Sequence, residues 1–280
     1  MTYKSMLVHL DASRRCAERL SIATRLALAF GAHLTGLYAA VRRELPGHIR
    51  VEGDPELTEQ WRKLHRERAQ QVSALFREET SRAGLQSAEA RVAEGDPVHA
   101  VTLHGRYADL VILGQTDPEE DADILGVPPE FPEMAVQSVG RPVLLVPYAG
   151  SFPHIGERVI VAWNASREAS RAATDALPFL QRAEQVTVLA VNPETSGDHG
   201  EIPGADIALY LARHGIKVEA AQSHTRDIDP GTWLVSRACD LGADLIVMGG
   251  YGHSYLRELI FGGVTRSLLG QMTVPVLIEH

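Results

Sequence analysis

The sequence predicts an α/β protein built from two tandem, doubly wound domains. Short apolar runs alternate with longer amphipathic segments along all 280 residues, which is the pattern of a parallel sheet covered by helices. The order of these elements in the first half recurs in the second half. A segment rich in turn-forming residues, Pro147–Pro153, separates the two halves.

In the first half, apolar runs of strand length predict strands, and apolar residues at spacings of three and four predict helices. The predicted strands are Lys4–Leu10, His33–Tyr38, Ala88–Val92, Leu110–Leu113 and Val143–Val146. The predicted helices are Arg14–Phe30, Glu56–Arg82, Pro97–Arg106 and Glu133–Val139. Gly31 and Gly84 follow the first two helices, where a glycine commonly ends a helix.

The second half repeats this alternation of strands and helices. The predicted strands are Val159–Trp163, Val186–Val191, Lys217–Ala221, Leu245–Met248 and Val276–Ile278. The predicted helices are Arg167–Leu180, Ala205–His214, Pro230–Leu241 and the short segment Val264–Leu269.

Short stretches of sequence recur together with the elements. Ala108–Gly114 matches Ala243–Gly249, and Arg141–Val146 matches Val274–Ile278. A repeat of this length is too long for a solenoid and indicates duplicated domains. We therefore predict one domain at residues 1–147, a linker at 148–156 and a second domain at 157–280.

The third helix of each half begins in the same way. Asp96 precedes Pro97, and Asp229 precedes Pro230. Aspartate is a good N-cap residue, and proline is well tolerated at the first helical position. The two halves are therefore predicted to share local structure as well as element order.

Composition limits the function classes that remain. A net charge of −9 argues against broad electrostatic binding to nucleic acid or to anionic membranes. The chain has no apolar run of membrane-spanning length and no signal-peptide pattern at its start, so a cytoplasmic location is expected. Cys16 and Cys239 lie in no metal-binding spacing and are expected to be unpaired thiols.

The most specific motif lies near the C-terminus. The apolar run Leu245–Met248 leads directly into Gly249, and further glycines at 252, 262 and 263 precede the short predicted helix. A glycine loop that feeds a helix N-terminus offers unshielded backbone N–H groups and a positive dipole end, both of which favour phosphate. This motif predicts a nucleotide-binding protein.

With this motif and its internal repeat, the chain resembles a tandem universal stress protein over nearly all of its length. ATP-binding domains of that family carry Gly-x-x-Gly, nine residues, and then Gly-Ser/Thr at this place. Gly249, Gly252 and Gly262 match the pattern, whereas Gly263 occupies the Ser/Thr position. The resemblance implies a Rossmann-like, five-stranded parallel sheet of order 3-2-1-4-5 in each domain, and a role in the stress response.

The resemblance also implies where a nucleoside would lie. In α/β sheets of this type, ligands bind outside the carboxyl ends of the strands, and ATP-binding members of the family use an aspartate after the first strand. Asp11 holds that position in the first half and Asn164 in the second. Each residue precedes a predicted helix, so helix capping is an equally good interpretation of both.

We therefore expect an adenine nucleotide, ATP or a relative with or without Mg²⁺, in the second domain. Asn164, Val191 and Met248 would border the nucleoside. Thr265 would supply a hydroxyl in place of the one missing at Gly263. Backbone groups expected to hold the phosphates belong to Gly249, Gly252, Gly262, Gly263 and Val264. His253 lies in the same loop, where it either contacts the anion or faces solvent.

The first half lacks this glycine motif. After Gly114 comes an acidic loop that contains Asp117, Glu119, Glu120, Asp121 and Asp123. Carboxylates at short range would repel a triphosphate. The first domain is therefore not expected to bind ATP in the manner of the family.

Two alternative functions stay open. One is a stress scaffold that binds protein partners and no nucleotide, and the other is a slow ATPase with His253 as the general base. No metal site or catalytic residue is predicted, since Walker A, nucleophile-elbow and paired-histidine zinc motifs are absent. The expected assembly is a monomer with pseudo-twofold domain pairing or a homodimer, with nucleotide as the main partner.

Overall fold

The computed structural model describes residues 2–40, 55–120, 127–192, 202–225, 228–251 and 263–280. Within these ranges the strands are β1 (Ser5–Leu10), β2 (His33–Ala40), β3 (Ala88–Glu94), β4 (Leu110–Gly114), β5 (Val143–Val146), β6 (Arg158–Trp163), β7 (Gln185–Val191), β8 (Val218–Ser223), β9 (Leu245–Gly249) and β10 (Val276–Glu279). The helices are α1 (Cys16–Phe30), α2 (Pro55–Arg82), α3 (Pro97–Gly105), α4 (Phe131–Val139), α5 (Arg167–Asp175), α6 (Leu177–Leu180), α7 (Ala205–Arg213), α8 (Pro230–Asp240) and α9 (Gly263–Gln271). The α/β fold class is confirmed. None of the helices in these ranges combines the length and apolarity needed to cross a membrane.

The first compact unit contains Tyr3–Val139. Its strands are all parallel and lie in the order β3-β2-β1-β4. The central strand β1 is buried along most of its length, and α1 and α3 pack against it, as its mainly apolar sequence predicts. α1 ends at Gly31, whose φ of 64° is the left-handed conformation that glycine adopts most easily.

The second compact unit contains Gly140–His280. Its strands β8-β7-β6-β9-β10 are parallel and reproduce the expected 3-2-1-4-5 order. β5, predicted as the last strand of the first half, belongs to this unit and pairs antiparallel with β10, Leu144 opposite Leu277. All four β5 residues are buried and apolar, so the sequence of this strand carries no sign of which partner it takes. The predicted domain boundary at residue 147 stays a prediction.

The repeat predicted from sequence extends to hydrogen bonds at the amino ends of the sheets. Asp109 accepts hydrogen bonds from the backbone N–H groups of Lys4 and Ser5 through Oδ2, at 2.7 and 3.0 Å. Its counterpart Asp244 accepts from the backbone N–H groups of Gly156, Glu157 and Arg158 at 2.9 to 3.1 Å. In both units, a carboxylate that precedes the fourth strand thus fixes the start of the first strand.

The helix starts also agree with their sequence signals. Asp96 and Asp229 are N-caps that accept hydrogen bonds from His99 N at 2.7 Å and Thr232 N at 3.0 Å. The predicted helix Arg167–Leu180 is instead two helices, α5 and α6, and Pro178 lies in the first turn of α6. Proline lacks an N–H group and does not continue a helix, which accounts for the break.

Candidate functional site

The carboxyl ends of three neighbouring strands in the second unit form the candidate site. β6 lies between β7 and β9, with Trp163 in register with Ala190 and Ala162 in register with Met248. The residues that follow these strands therefore meet at one edge of the sheet. Ala162 and Trp163 are partly exposed there, as are Val191 and Asn192.

Asn164 stabilises the turn between β6 and α5. Its Oδ1 accepts hydrogen bonds from Ser166 N at 3.1 Å and from Ser166 Oγ at 2.6 Å. Ser166 is the helix cap, since its Oγ accepts from Ala169 N at 3.1 Å. Asn164 is exposed, and no acceptor within the described part of the chain takes its Nδ2 group. Capping thus belongs to Ser166, which leaves the Asn164 amide nitrogen available to a ligand.

Three residues at this edge have a left-handed backbone conformation, which is unfavourable for residues other than glycine. Ala165, Asn192 and Tyr251 have φ values of 58°, 48° and 55°, and they are the non-glycine residues with positive φ in the described ranges. They follow β6, β7 and β9 respectively. Such conformations cost roughly 1–3 kcal/mol each and concentrate at functional sites. In the first unit, the matching positions Ala12, Ala40 and Thr116 have no such conformation.

Gly249 and Gly250 take part in packing and in the sheet. A Cβ on Gly249 would overlap Ala169 N and the backbone of Glu168, so this glycine lets the start of α5 approach β9 closely. The N–H group of Gly250 donates to Glu279 O at 2.8 Å, which closes the sheet beside β10. Met248, also predicted to border the nucleoside, is buried within the sheet. Gly252, His253 and Gly262 lie outside the described residues.

α9 begins at Gly263, at the far side of the glycine loop. A Cβ on Gly263 would meet no described atom within 4 Å, and Val264 is exposed. Thr265 is buried, and its Oγ1 accepts a long hydrogen bond from Tyr251 N at 3.5 Å. The Thr265 hydroxyl thus connects the first turn of α9 to the end of β9.

Two carboxylates border this edge. Burial raises the pKa of Glu168. Hydrogen bonds from its own backbone N–H group and from Arg167 outweigh burial and bring this pKa below its usual value. Burial, reinforced by the nearby Asp175, raises the pKa of Glu279 to about 7, against the attraction of Arg171 and Arg141. Sequence reasoning missed Glu279 because a glutamate after a short apolar run resembles an exposed strand end.

The equivalent edge of the first unit is filled by its own side chains. Arg19 is buried, donates from Nε to His9 O at 2.9 Å, and lies 2.8 Å from Asp11 Oδ1 through Nη2. A Cβ on Gly114 would overlap Arg19 Nη1. The guanidinium therefore occupies the space in front of the glycine that matches Gly249. In the second unit, the residue that matches Arg19 is Ala172.

Ionisation in this first-unit cluster is strongly perturbed. Burial would raise the pKa of Asp11. The Arg19 guanidinium and His9 outweigh burial and hold this pKa well below its usual range. Burial lowers the pKa of His9, whose Nδ1 lies 3.5 Å from Asp11 Oδ2. Asp11 thus completes an internal ion pair. The sequence signal for Arg19 was its helical spacing, since Cys16 and Ala23 on the same face of α1 are both buried.

The chain is similar to known proteins, and its second half matches a family model. Residues 156–280 match the universal stress protein family. A universal stress protein of Synechocystis is 25% identical over 98% of this chain and 99% of its own length. A universal stress protein of Archaeoglobus fulgidus has the same fold, with a TM-score of 0.76 at 18% identity over 98% of this chain and 95% of its own. A putative universal stress protein of Pseudomonas aeruginosa gives a TM-score of 0.60 at 16% identity over 99% of this chain and 93% of its own.

Proposed function

We propose that this chain, which carries a universal stress protein domain at residues 156–280, is a cytoplasmic stress-response protein that binds an adenine nucleotide. The nucleotide is ATP or a close relative, and the site is the carboxyl edge of β6, β7 and β9. Binding serves to sense or to regulate. The observation that carries the proposal is the set of left-handed residues at the ends of these three neighbouring strands, Ala165, Asn192 and Tyr251.

Backbone strain of this kind persists only where the surrounding structure maintains it. Asn192 is held by two hydrogen bonds, from its N–H group to Ser223 O at 2.9 Å and from Thr225 N to its Oδ1 at 2.8 Å. Ala165 is held between Asn164 and the cap residue Ser166. These hydrogen bonds maintain two of the three turned strand ends beside partly exposed apolar surface, an arrangement suited to a flat ring with polar edges.

Each part of the nucleotide has a partner in this arrangement. The Asn164 amide nitrogen donates to the nucleoside, and Val191 and Trp163 contribute apolar surface beside it. The first-turn N–H groups of α9, at Gly263, Val264 and Thr265, attract the phosphates because they have no acceptor within the helix. Mg²⁺ would enter with the phosphates. Gly252, His253 and Gly262 belong to the proposed loop between these parts.

Calorimetric titration with ATP, ADP, AMP and adenosine tests this function. We expect binding that tightens with the number of phosphates, and an affinity about tenfold weaker in Asn164→Ala, from the loss of one or two hydrogen bonds. Ser13→Ala, which lies in the matching turn of the first unit, is the control and should leave the affinity unchanged. Absence of heat with every ligand at millimolar concentration contradicts the proposal.

A scaffold that binds protein partners without nucleotide is the second candidate. Two observations favour it: the Gly250 N–H group is already bonded to Glu279 O, and Gly263 lacks the hydroxyl of the family motif. This candidate predicts the same thermal midpoint with and without nucleotide. Nucleotide binding should instead raise the midpoint, because a ligand that binds only the folded state stabilises it.

A further inference from the structure

A buried carboxylate ends β10 beside the glycine loop. The side chain of Glu279 is 1% exposed, and its Oε1 lies 2.5 Å from Arg171 Nη2. Its Oε2 is buried and has no hydrogen-bond partner within the described part of the chain. One oxygen of this carboxylate is therefore paired and the other is desolvated, which makes the charged form costly.

The charges around Glu279 are balanced when all of them are ionised. α5 contributes Arg171 and Asp175, and Arg141 precedes β5. Two carboxylates thus face two guanidinium groups. Within the described part of the chain, His280 and the ion pair of Glu168 with Arg167 also lie near this strand end. A proton on Glu279 would change the group of four from neutral to a charge of plus one.

The same residue is bonded to the loop that leads into the candidate site. Glu279 O accepts from Gly250 N at 2.8 Å, and Glu279 is in register with Gly249. His280 Nδ1 lies 3.2 Å from Gly250 O. Tyr251, the next residue, is joined to α9 through Thr265. The charged group therefore lies one strand away from the strand end at which the phosphates would be held.

We infer that Glu279 couples nucleotide binding to proton uptake, so that the site binds phosphates more tightly when Glu279 is protonated. The inference rests on the proposed nucleotide site. A protonated Glu279 leaves Arg171 and Arg141 with an unbalanced positive charge, and that charge attracts an anion held nearby. By linkage, a bound anion favours the proton on Glu279 to the same extent.

The burial of Glu279 makes this exchange relevant near neutral pH. Burial and the neighbouring Asp175 raise its pKa to about 7, so a small fall in pH changes its charge. Adjacent strands lie ~5 Å apart and the phosphates would lie beyond the end of β9, so at a separation of ~10 Å one added charge is expected to change phosphate affinity by about fivefold. ADP affinity should therefore rise as the pH falls from about 8 to about 6, whereas adenosine affinity should not.

Titration calorimetry with ADP across this pH range, on the wild type and on Glu279→Gln, tests the coupling. Glutamine cannot ionise, so Glu279→Gln should bind ADP several-fold more tightly than the wild type at about pH 8 and as tightly as the wild type at about pH 6. Because a terminal phosphate also titrates near pH 6, the quantity compared is the difference between the two proteins. Titrations in two buffers of different ionisation heat count the protons taken up, about 0.3 more for the wild type at about pH 7.

Two further variants separate the outcomes. His280→Gln removes the neighbouring titratable group and should keep the pH dependence of the wild type. Asp175→Asn, at a partly exposed position of α5, removes the negative charge that helps to raise the pKa of Glu279, and should shift the rise in affinity to lower pH. Asp175→Asn also provides the test if Glu279→Gln does not fold.

Each result then has one meaning. ADP binding with the same pH profile in the wild type, Glu279→Gln and Asp175→Asn overturns the coupling and leaves the nucleotide site standing. Loss of the pH dependence in His280→Gln alone assigns the proton to His280 and also overturns the inference. No binding of any nucleotide at any pH overturns the proposed function, and the coupling with it.

Discussion

The two units of this chain differ in what lies against the glycine at the end of the fourth strand. In the first unit, Arg19 lies in front of Gly114 and pairs with Asp11. In the second unit, the start of α5 lies against Gly249, and Ala172 replaces the arginine. The first arrangement completes its charges internally, whereas the second leaves Asn164 exposed beside strained turns. The residue at this position of the first helix, Arg19 or Ala172, thus accounts for part of the difference between the two edges.

Removal of the internal ion pair should have the largest effect. Arg19→Ala leaves the partly buried Asp11 without its cation beside His9, and we expect a loss of about 3 kcal/mol in the free energy of unfolding of the first unit. Urea denaturation measures this loss. Arg14→Ala, an exposed arginine on the turn before α1, is the control and should cost less than about 0.5 kcal/mol. Similar stability of the two variants would show that the pair does not hold this edge together.

The two matching glycines should differ in their tolerance of a methyl group. Gly249→Ala would force Cβ against the backbone of α5, at an expected cost of about 2–3 kcal/mol. Gly114→Ala would meet the Arg19 side chain, which is held by Asp11 and His9 but can shift more easily than backbone, and should cost about 1–2 kcal/mol. Thermal unfolding of both variants measures the difference. Equal costs would contradict the distinction between a backbone and a side-chain neighbour.

Phosphate binding at the candidate site of the second unit should be tightened by the hydroxyl that Gly263 lacks. Gly263→Ser places a hydroxyl at the start of α9, where a Cβ meets no described atom within 4 Å. One added hydrogen bond to phosphate should tighten ATP binding by about three- to tenfold. Gly270→Ser, at the other end of α9 and equally free of contacts, is the matched control. A gain in Gly270→Ser as large as in Gly263→Ser would refute a local contact with phosphate.

The two units should also differ in how their stability responds to pH. The pKa of Asp11 is depressed in the folded state, so its contribution is present above the unfolded value of 3.8 and is lost as the pH falls. Burial also lowers the pKa of His9 from 6.5, so acidification destabilises the first unit through both groups. The pKa of Glu279 is raised from 4.5 to about 7, so its contribution is present below 4.5 and is lost as the pH rises through 7.

Thermal midpoints measured across the pH range check this difference. Glu279→Gln should lose the decline between about pH 4.5 and pH 7 and keep the acid-side decline that comes from Asp11 and His9. A decline of the same size in Glu279→Gln would mean that the buried carboxyl of β10 does not titrate in this window.

The sequence was sufficient to predict the order of strands and helices, because that order follows from local periodicity, glycine ends and the Asp-Pro caps at Asp96 and Asp229. It could not identify the partner of β5, since Val143–Val146 is apolar throughout and fits either edge of a sheet. The position of the candidate site followed from where the strands end. Its chemistry was less predictable, since the burial of Arg19 and Glu279 depends on residues far away in the sequence.

The carboxylates Asp109 and Asp244 hold the framework of each unit at the edge opposite the candidate site. They accept hydrogen bonds that fix the start of the first strand at the amino edge of the sheet. The ion pair of the first unit and the exposed asparagine of the second lie at the carboxyl edge. Changes at the carboxyl edge therefore leave the anchoring hydrogen bonds untouched. The two units can therefore differ at the carboxyl edge, an ion pair in one and an exposed asparagine in the other, while they share the same framework.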